Sequence, residues 1–86
     1  MELGDYRAQI DEIDHKLVEL FAKRMDVAAG IAAYKKEHGL PVLDPVRERE
    51  KLLDVAAQAP EDMRDYTASL YTMLFELSRC YQGRLL

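Results

Sequence analysis

The stretch Tyr6–Tyr34, YRAQIDEIDHKLVELFAKRMDVAAGIAAY, decides how this chain folds. Ile10, Leu17 and Ile31 recur at one heptad position, and Ile13, Leu20, Val27 and Tyr34 at a second. Apolar residues repeating this way mark a helix that buries one seam. Arg24 stands in the first set, seven residues from Leu17 and seven from Ile31. A guanidinium cannot shed its charge, so at a seam position it meets an anion or costs several kcal/mol.

Outward from this stretch, local punctuation sets the remaining boundaries. Gly39 supplies a left-handed cap position and Pro41 blocks continuation, so a first helix is predicted from Asp5 to His38. Asp44-Pro45 pairs an N-cap acid with a proline at the first helical position and starts a second helix, which ends near Gln58 before Ala59-Pro60. Pro60-Glu61-Asp62 opens a third that reaches Gln82-Gly83. No stretch alternates apolar and polar residues as a strand would. The expected fold is all-α: three helices, one long and two shorter, in a single domain over residues 1–86.

Length leads on to assembly. A helix of ~34 residues is ~50 Å long, whereas a compact globule of this size is about 30 Å across. The helix overhangs, and its apolar ladder continues past where the globule ends. A break at Ala28-Ala29-Gly30 would give a four-helix monomer instead. Glycine costs only ~1 kcal/mol inside a helix, however, and the ladder keeps phase through Ile31 and Tyr34. The expectation is an intertwined homodimer with the long helices packed together.

Bulk properties exclude other classes. The 86 residues are 49% hydrophobic and 33% charged, as in a folded globular chain. A net charge of −4 argues against nucleic acid or an acidic membrane as partner. No run is long and apolar enough to span a bilayer, and the N-terminus lacks a signal-peptide layout. Cys80 is the only cysteine, which fits a reducing cytoplasm; its apolar helix face predicts a buried thiol rather than a nucleophile. His15 and His38 are too far apart for a helical metal pair, and no glycine-rich phosphate loop is present. Neither a metal nor a cofactor is expected.

The chemistry-bearing residues must then be local cations. Arg24 and Lys35 are eleven residues apart, so they point within ~20° of each other, ~16 Å apart along the axis. Together they could cradle a small anion. Arg7 shares the heptad position of Lys35 but lies ~25 Å from Arg24 on the same helix. If an antiparallel partner crosses near Val18, residue 7 of one chain faces about residue 29 of the other, between Arg24 and Lys35. Three cations from two chains would converge, twice per dimer. Other readings stay open: Arg24 could pair internally with Asp11, Asp14 or Glu48, while Arg7 and Lys35 could be solvated flank charges.

The second and third helices add candidates. Free N–H groups at Asp44-Pro45-Val46-Arg47-Glu48 can take an anion or a hydroxyl, with Arg47 and Glu48 facing a ligand or forming an exposed ion-paired turn. Tyr71, Phe75, Ser78 and Gln82 follow a 4-3-4 spacing that turns polar at its end. Ser78 and Gln82 would then present a hydroxyl and an amide to the same interior, although Gln82 taken alone reads as the stripe reaching solvent.

As an ordered set, Arg7-Ala-Gln-Ile10-Asp11-Glu-Ile13-Asp14, Arg24, Lys35 and Val42-Leu-Asp44-Pro-Val-Arg47-Glu48 resembles the all-helical (type II) chorismate mutases in their bacterial form. The resemblance covers Arg7 to Gln82. It implies an intertwined dimer of three-helix chains with two active sites built from both protomers, and a Claisen rearrangement of chorismate to prephenate without a base or nucleophile. Residue by residue, it implies that Arg24 and the partner's Arg7 bind the substrate carboxylates. Lys35 contacts a carboxylate and the ether oxygen, and Gln82 donates to that same oxygen. Glu48, with backbone near Asp44, holds the ring hydroxyl. Arg47 supports this shell and Ser78 contacts a carboxylate. Two alternatives accompany it: an isochorismate-pyruvate lyase of the same fold, and a non-catalytic helical dimerisation module with Arg24 in a buried ion pair. Such domains also occur fused to prephenate dehydratase or dehydrogenase.

Overall fold

The computed structural model describes residues 1–85. Helix α1 spans Leu3–Glu37, α2 Pro45–Gln58 and α3 Arg64–Leu85, with a single 3-10 turn at Glu61–Met63 before α3. Helix α1 is unbroken through Gly30, in line with the ladder's constant phase. It begins two residues before the expected Asp5, because the Asp5 carboxylate accepts the Glu2 backbone N–H at 2.9 Å and caps the extra turn. At its other end Gly39 has φ of 66°, while Leu40 N–H donates to the Lys35 carbonyl at 2.8 Å and Gly39 N–H to that of Lys36 at 3.4 Å. This left-handed closure satisfies carbonyls that the helix end would otherwise orphan.

Asp44 caps α2 as its sequence predicts, accepting the Arg47 backbone N–H at 3.1 Å ahead of Pro45. The third segment departs modestly from expectation. Met63 N–H bonds the Pro60 carbonyl at 2.8 Å, tightening the entry into a 3-10 turn. Helix α3 then continues through Gly83 to Leu85.

Helix α3 packs against both α1 and α2, which do not pack on each other. The buried apolar residues are small in number: Ala28 and Ala32 from α1, Val55 from α2 and Phe75 from α3. The molecule measures 54 × 25 × 15 Å with a radius of gyration of 15.9 Å, against about 12 Å for a compact chain of this length. Ile10, Ile13, Leu17, Leu20, Val27 and Tyr34 are each more than half exposed. An apolar face this long exceeds what isolated soluble monomers leave in water. Beside it an apolar concavity of about 420 Å³ runs between the middle of α1 and α3, bounded by Leu17, Phe21, Leu70 and Leu74. No helix among the described residues is long and apolar enough to cross a membrane.

Candidate active site

Because α1 and α2 are held apart by α3, a space remains between them. It forms a cavity of about 450 Å³, a size suited to a small metabolite. Helix α1 contributes Arg24 and Lys35 along with Val27, Ala28 and Ile31. The connecting loop and α2 contribute Val42, Asp44, Arg47, Glu48 and Lys51. Phe75, Ser78, Arg79 and Gln82 close it from α3. Seven of the eight residues singled out in the sequence therefore share one pocket. The exception is Arg7, exposed near the start of α1 and outside the cavity wall within one chain.

Arg24 is half-buried, and its Nη1 donates to Ser78 Oγ at 2.8 Å. Its guanidinium carbon lies 5.9 Å from the Tyr71 ring centroid and 5.8 Å from that of Phe75, within cation–π range. Among the described residues no carboxylate pairs with it; the ion pairs are Lys16–Glu12, Lys23–Glu19, Lys51–Asp54 and Arg79–Glu48. The internal partners conceivable from sequence, Asp11, Asp14 and Glu48, do not take that role. Ser78 Oγ in turn lies 3.9 Å from Met25 Sδ, so the hydroxyl is held from both sides.

Lys35 Nζ donates to the Val42 carbonyl at 2.8 Å, which ties the end of α1 to the loop leading into α2. An ammonium has three N–H bonds to give, so two remain for a ligand. Glu48 is engaged by Arg79, whose Nη1 reaches both carboxylate oxygens. Asp44 uses one oxygen for its cap bond, while the Arg47 side chain is exposed at the rim.

Gln82 takes the interior of the two orientations its spacing allowed: it is 6% exposed and lines the cavity. Helix α3 extends beyond it to Leu85, so residue 82 is a helix-interior position facing the gap. Its amide takes no part in the Arg24–Ser78 or Arg79–Glu48 contacts beside it. Cys80 corrects an expectation: its thiol is exposed, because it shares the α3 face of Met73 and Leu77, which stays open among the described residues.

Two lining residues escaped the sequence reading, Lys51 and Arg79. Arg79 follows Phe75 by four residues and precedes Gln82 by three, so helical spacing puts it beside the stripe already recognised. Five cationic side chains against two carboxylates make the pocket net positive in a chain of net charge −4. The arrangement can hold a small polyanion and press donors onto any oxygen where negative charge develops. Among the described residues no cluster of His, Cys, Asp and Glu could hold a metal ion.

Comparison with known proteins gives a consistent family. The family described as chorismate mutase type II matches residues 6–83, a span that takes in all eight candidate residues. A T-protein of Haemophilus influenzae is 44% identical over 46 residues, 54% of this chain and 12% of that protein. A chorismate mutase of Methanocaldococcus jannaschii is 42% identical over 48 residues, 56% of this chain and 48% of its own length. A 4-amino-4-deoxychorismate mutase of Streptomyces venezuelae is 39% identical over 46 residues, covering 54% of this chain and 45% of that one. The chain thus spans at most about half the length of these relatives. No solved structure matches it significantly.

Proposed function

The chain belongs to the type II chorismate mutase family, and on that premise we propose that it converts chorismate to prephenate in a homodimer with two shared sites. The observation that carries the reading is the half-buried Arg24, which has a serine and two aromatic rings for neighbours but no carboxylate, in a net-positive pocket. Chorismate brings two carboxylates, one of which supplies the missing anion.

The reaction is intramolecular. The ether C–O bond breaks as a C–C bond forms, with no proton transferred and no covalent intermediate. Catalysis consists of folding the substrate into a chair-like conformer and stabilising charge on the ether oxygen as it departs. Arg24, anchored by Ser78, binds a carboxylate. Lys35, steadied by the Val42 carbonyl, offers its remaining N–H bonds to a carboxylate and to the ether oxygen. The Gln82 amide donates to that oxygen from the opposite wall. Glu48 accepts the ring hydroxyl beside the α2 N-terminus, where Asp44 and Arg47 complete the shell.

The second carboxylate falls to the partner's Arg7. An antiparallel α1 pair crossing near Val18 carries residue 7 over residue 29, at the mouth of the cavity. The uncovered apolar face of α1 and the concavity beside it support such a pairing. Incubation with chorismate tests the activity. Because the product is an isomer of equal mass, it is identified by proton NMR, and prephenate is expected. Consumption no faster than the uncatalysed rate overturns the reading, and isochorismate yielding salicylate and pyruvate would assign a lyase instead.

A further inference from the structure

We propose that Arg79 is a specificity-determining residue that makes the Glu48 end of the pocket select a neutral hydroxyl over an ammonium on the substrate ring. The inference rests on the chorismate reading above. It begins from the Arg79–Glu48 contact, in which one guanidinium nitrogen meets both carboxylate oxygens. Both side chains line the cavity, with 34% and 27% exposure respectively, so the pair is partly shielded from solvent screening.

Two consequences follow from charge and hydrogen-bond capacity. Each carboxylate oxygen has more than one lone-pair site, so Glu48 can still accept a hydrogen bond from a ligand while bound to Arg79. A hydroxyl needs only that acceptor. A protonated amine at the same ring position also brings a positive charge into a pocket already crowded with Arg24, Lys35, Arg47 and Lys51. Glu48 is the anion that would compensate it, and Arg79 has neutralised that anion beforehand. Like charges brought together at a binding site discriminate strongly against the wrong partner. Arg79 therefore acts through Glu48 as a positioning residue, holding the carboxylate in place while cancelling its attraction for cations.

The test compares two substrates, chorismate and its analogue with an amino group in place of the ring hydroxyl, on wild type, Arg79→Met and Arg79→Lys. The readout is the ratio of kcat/KM values, amine over hydroxyl. In Arg79→Met the ratio should rise about tenfold, the effect of removing one partly screened unit charge. In Arg79→Lys, which keeps the charge, it should stay near the wild-type value. A general loss of packing would lower both substrates together and leave the ratio unmoved. An unchanged ratio in Arg79→Met, or an equal rise in Arg79→Lys, overturns the inference while leaving the function intact. Absence of wild-type turnover of chorismate overturns the functional reading and this inference with it. Should Arg79→Met fold poorly, Arg79→Gln repeats the neutralisation with a polar side chain; should turnover be too slow, the ratio is taken from calorimetric dissociation constants of the two compounds.

Discussion

Arg24 and Ser78, 54 positions apart in the chain, meet at 2.8 Å across the α1–α3 interface. A hydrogen bond to a charged group contributes about 1.5–3 kcal/mol, so the serine fixes where the guanidinium points. Ser78→Ala is expected to raise KM for chorismate about tenfold, by ~1.4 kcal/mol, with helicity unchanged by circular dichroism. An unaltered KM would mean that Tyr71 and Phe75 alone hold the arginine.

Lys35→Ala removes the donor proposed for the ether oxygen while leaving the α1 cap bonds to backbone atoms. Losing one such donor costs ~3–4 kcal/mol of barrier. The variant should keep its helicity and native mass yet lose on the order of 10²–10³ in kcat. A loss below tenfold in single-turnover kinetics would remove Lys35 from the reaction.

The proposed sharing of sites between protomers makes an arithmetic prediction. Arg7→Ala and Arg24→Ala chains should each be nearly inactive as homodimers. Unfolded together and refolded as a mixture, half the dimers are mixed, and each mixed dimer carries one intact and one doubly altered site. Activity should return to about a quarter of wild type. No recovery would show that Arg7 does not serve its partner's pocket.

In the proposed role Gln82 donates as a neutral amide, whereas a carboxyl in its place donates only when protonated. The sign for Gln82→Glu follows: activity grows as pH falls through the pKa of the new acid and vanishes above it. A pH–rate profile shifted to acid relative to wild type is expected. Coinciding profiles would place Gln82 away from the ether oxygen.

The apolar face of α1 predicts a particle of twice the 9.9 kDa chain mass, with a melting temperature that rises with protein concentration. Leu17→Glu puts a charge in the seam beside Arg24's heptad neighbours and should dissociate and largely unfold the protein, as seen by analytical ultracentrifugation and circular dichroism. A wild-type monomer that melts independently of concentration would sink the dimer.

What the sequence disclosed, it disclosed through local signals. Pro41, Pro45 and Pro60 each fix their own φ, and Gly39 alone takes a left-handed one at little cost, so three helices and their limits are legible within a few residues. Arg24 and Lys35 share a face by helical period alone, and the 71-75-78-82 spacing located Ser78. Long-range packing was opaque. That Arg79 meets Glu48 depends on how α2 lies on α3, and a lone lysine or arginine on a helix gives no hint of a partner on another one. For Gln82, spacing alone leaves solvent and interior open, because the gap it faces is created only by the three-helix arrangement. Cys80 is exposed against expectation for a related reason, since it lies on an apolar face that a single chain leaves uncovered.

The separation of α1 from α2 has a consequence for energetics as well as for catalysis. Where most small helical proteins would have a third seam of side chains, this one has a hole, so its interior is unfinished until something fills it. A bound ligand then serves as a removable piece of the core, touching all three helices at once. Occupancy and folding become linked equilibria: a ligand at a hundred times its Kd adds about 2.7 kcal/mol of stability. Thermal shift thereby reports on recognition, separately from turnover.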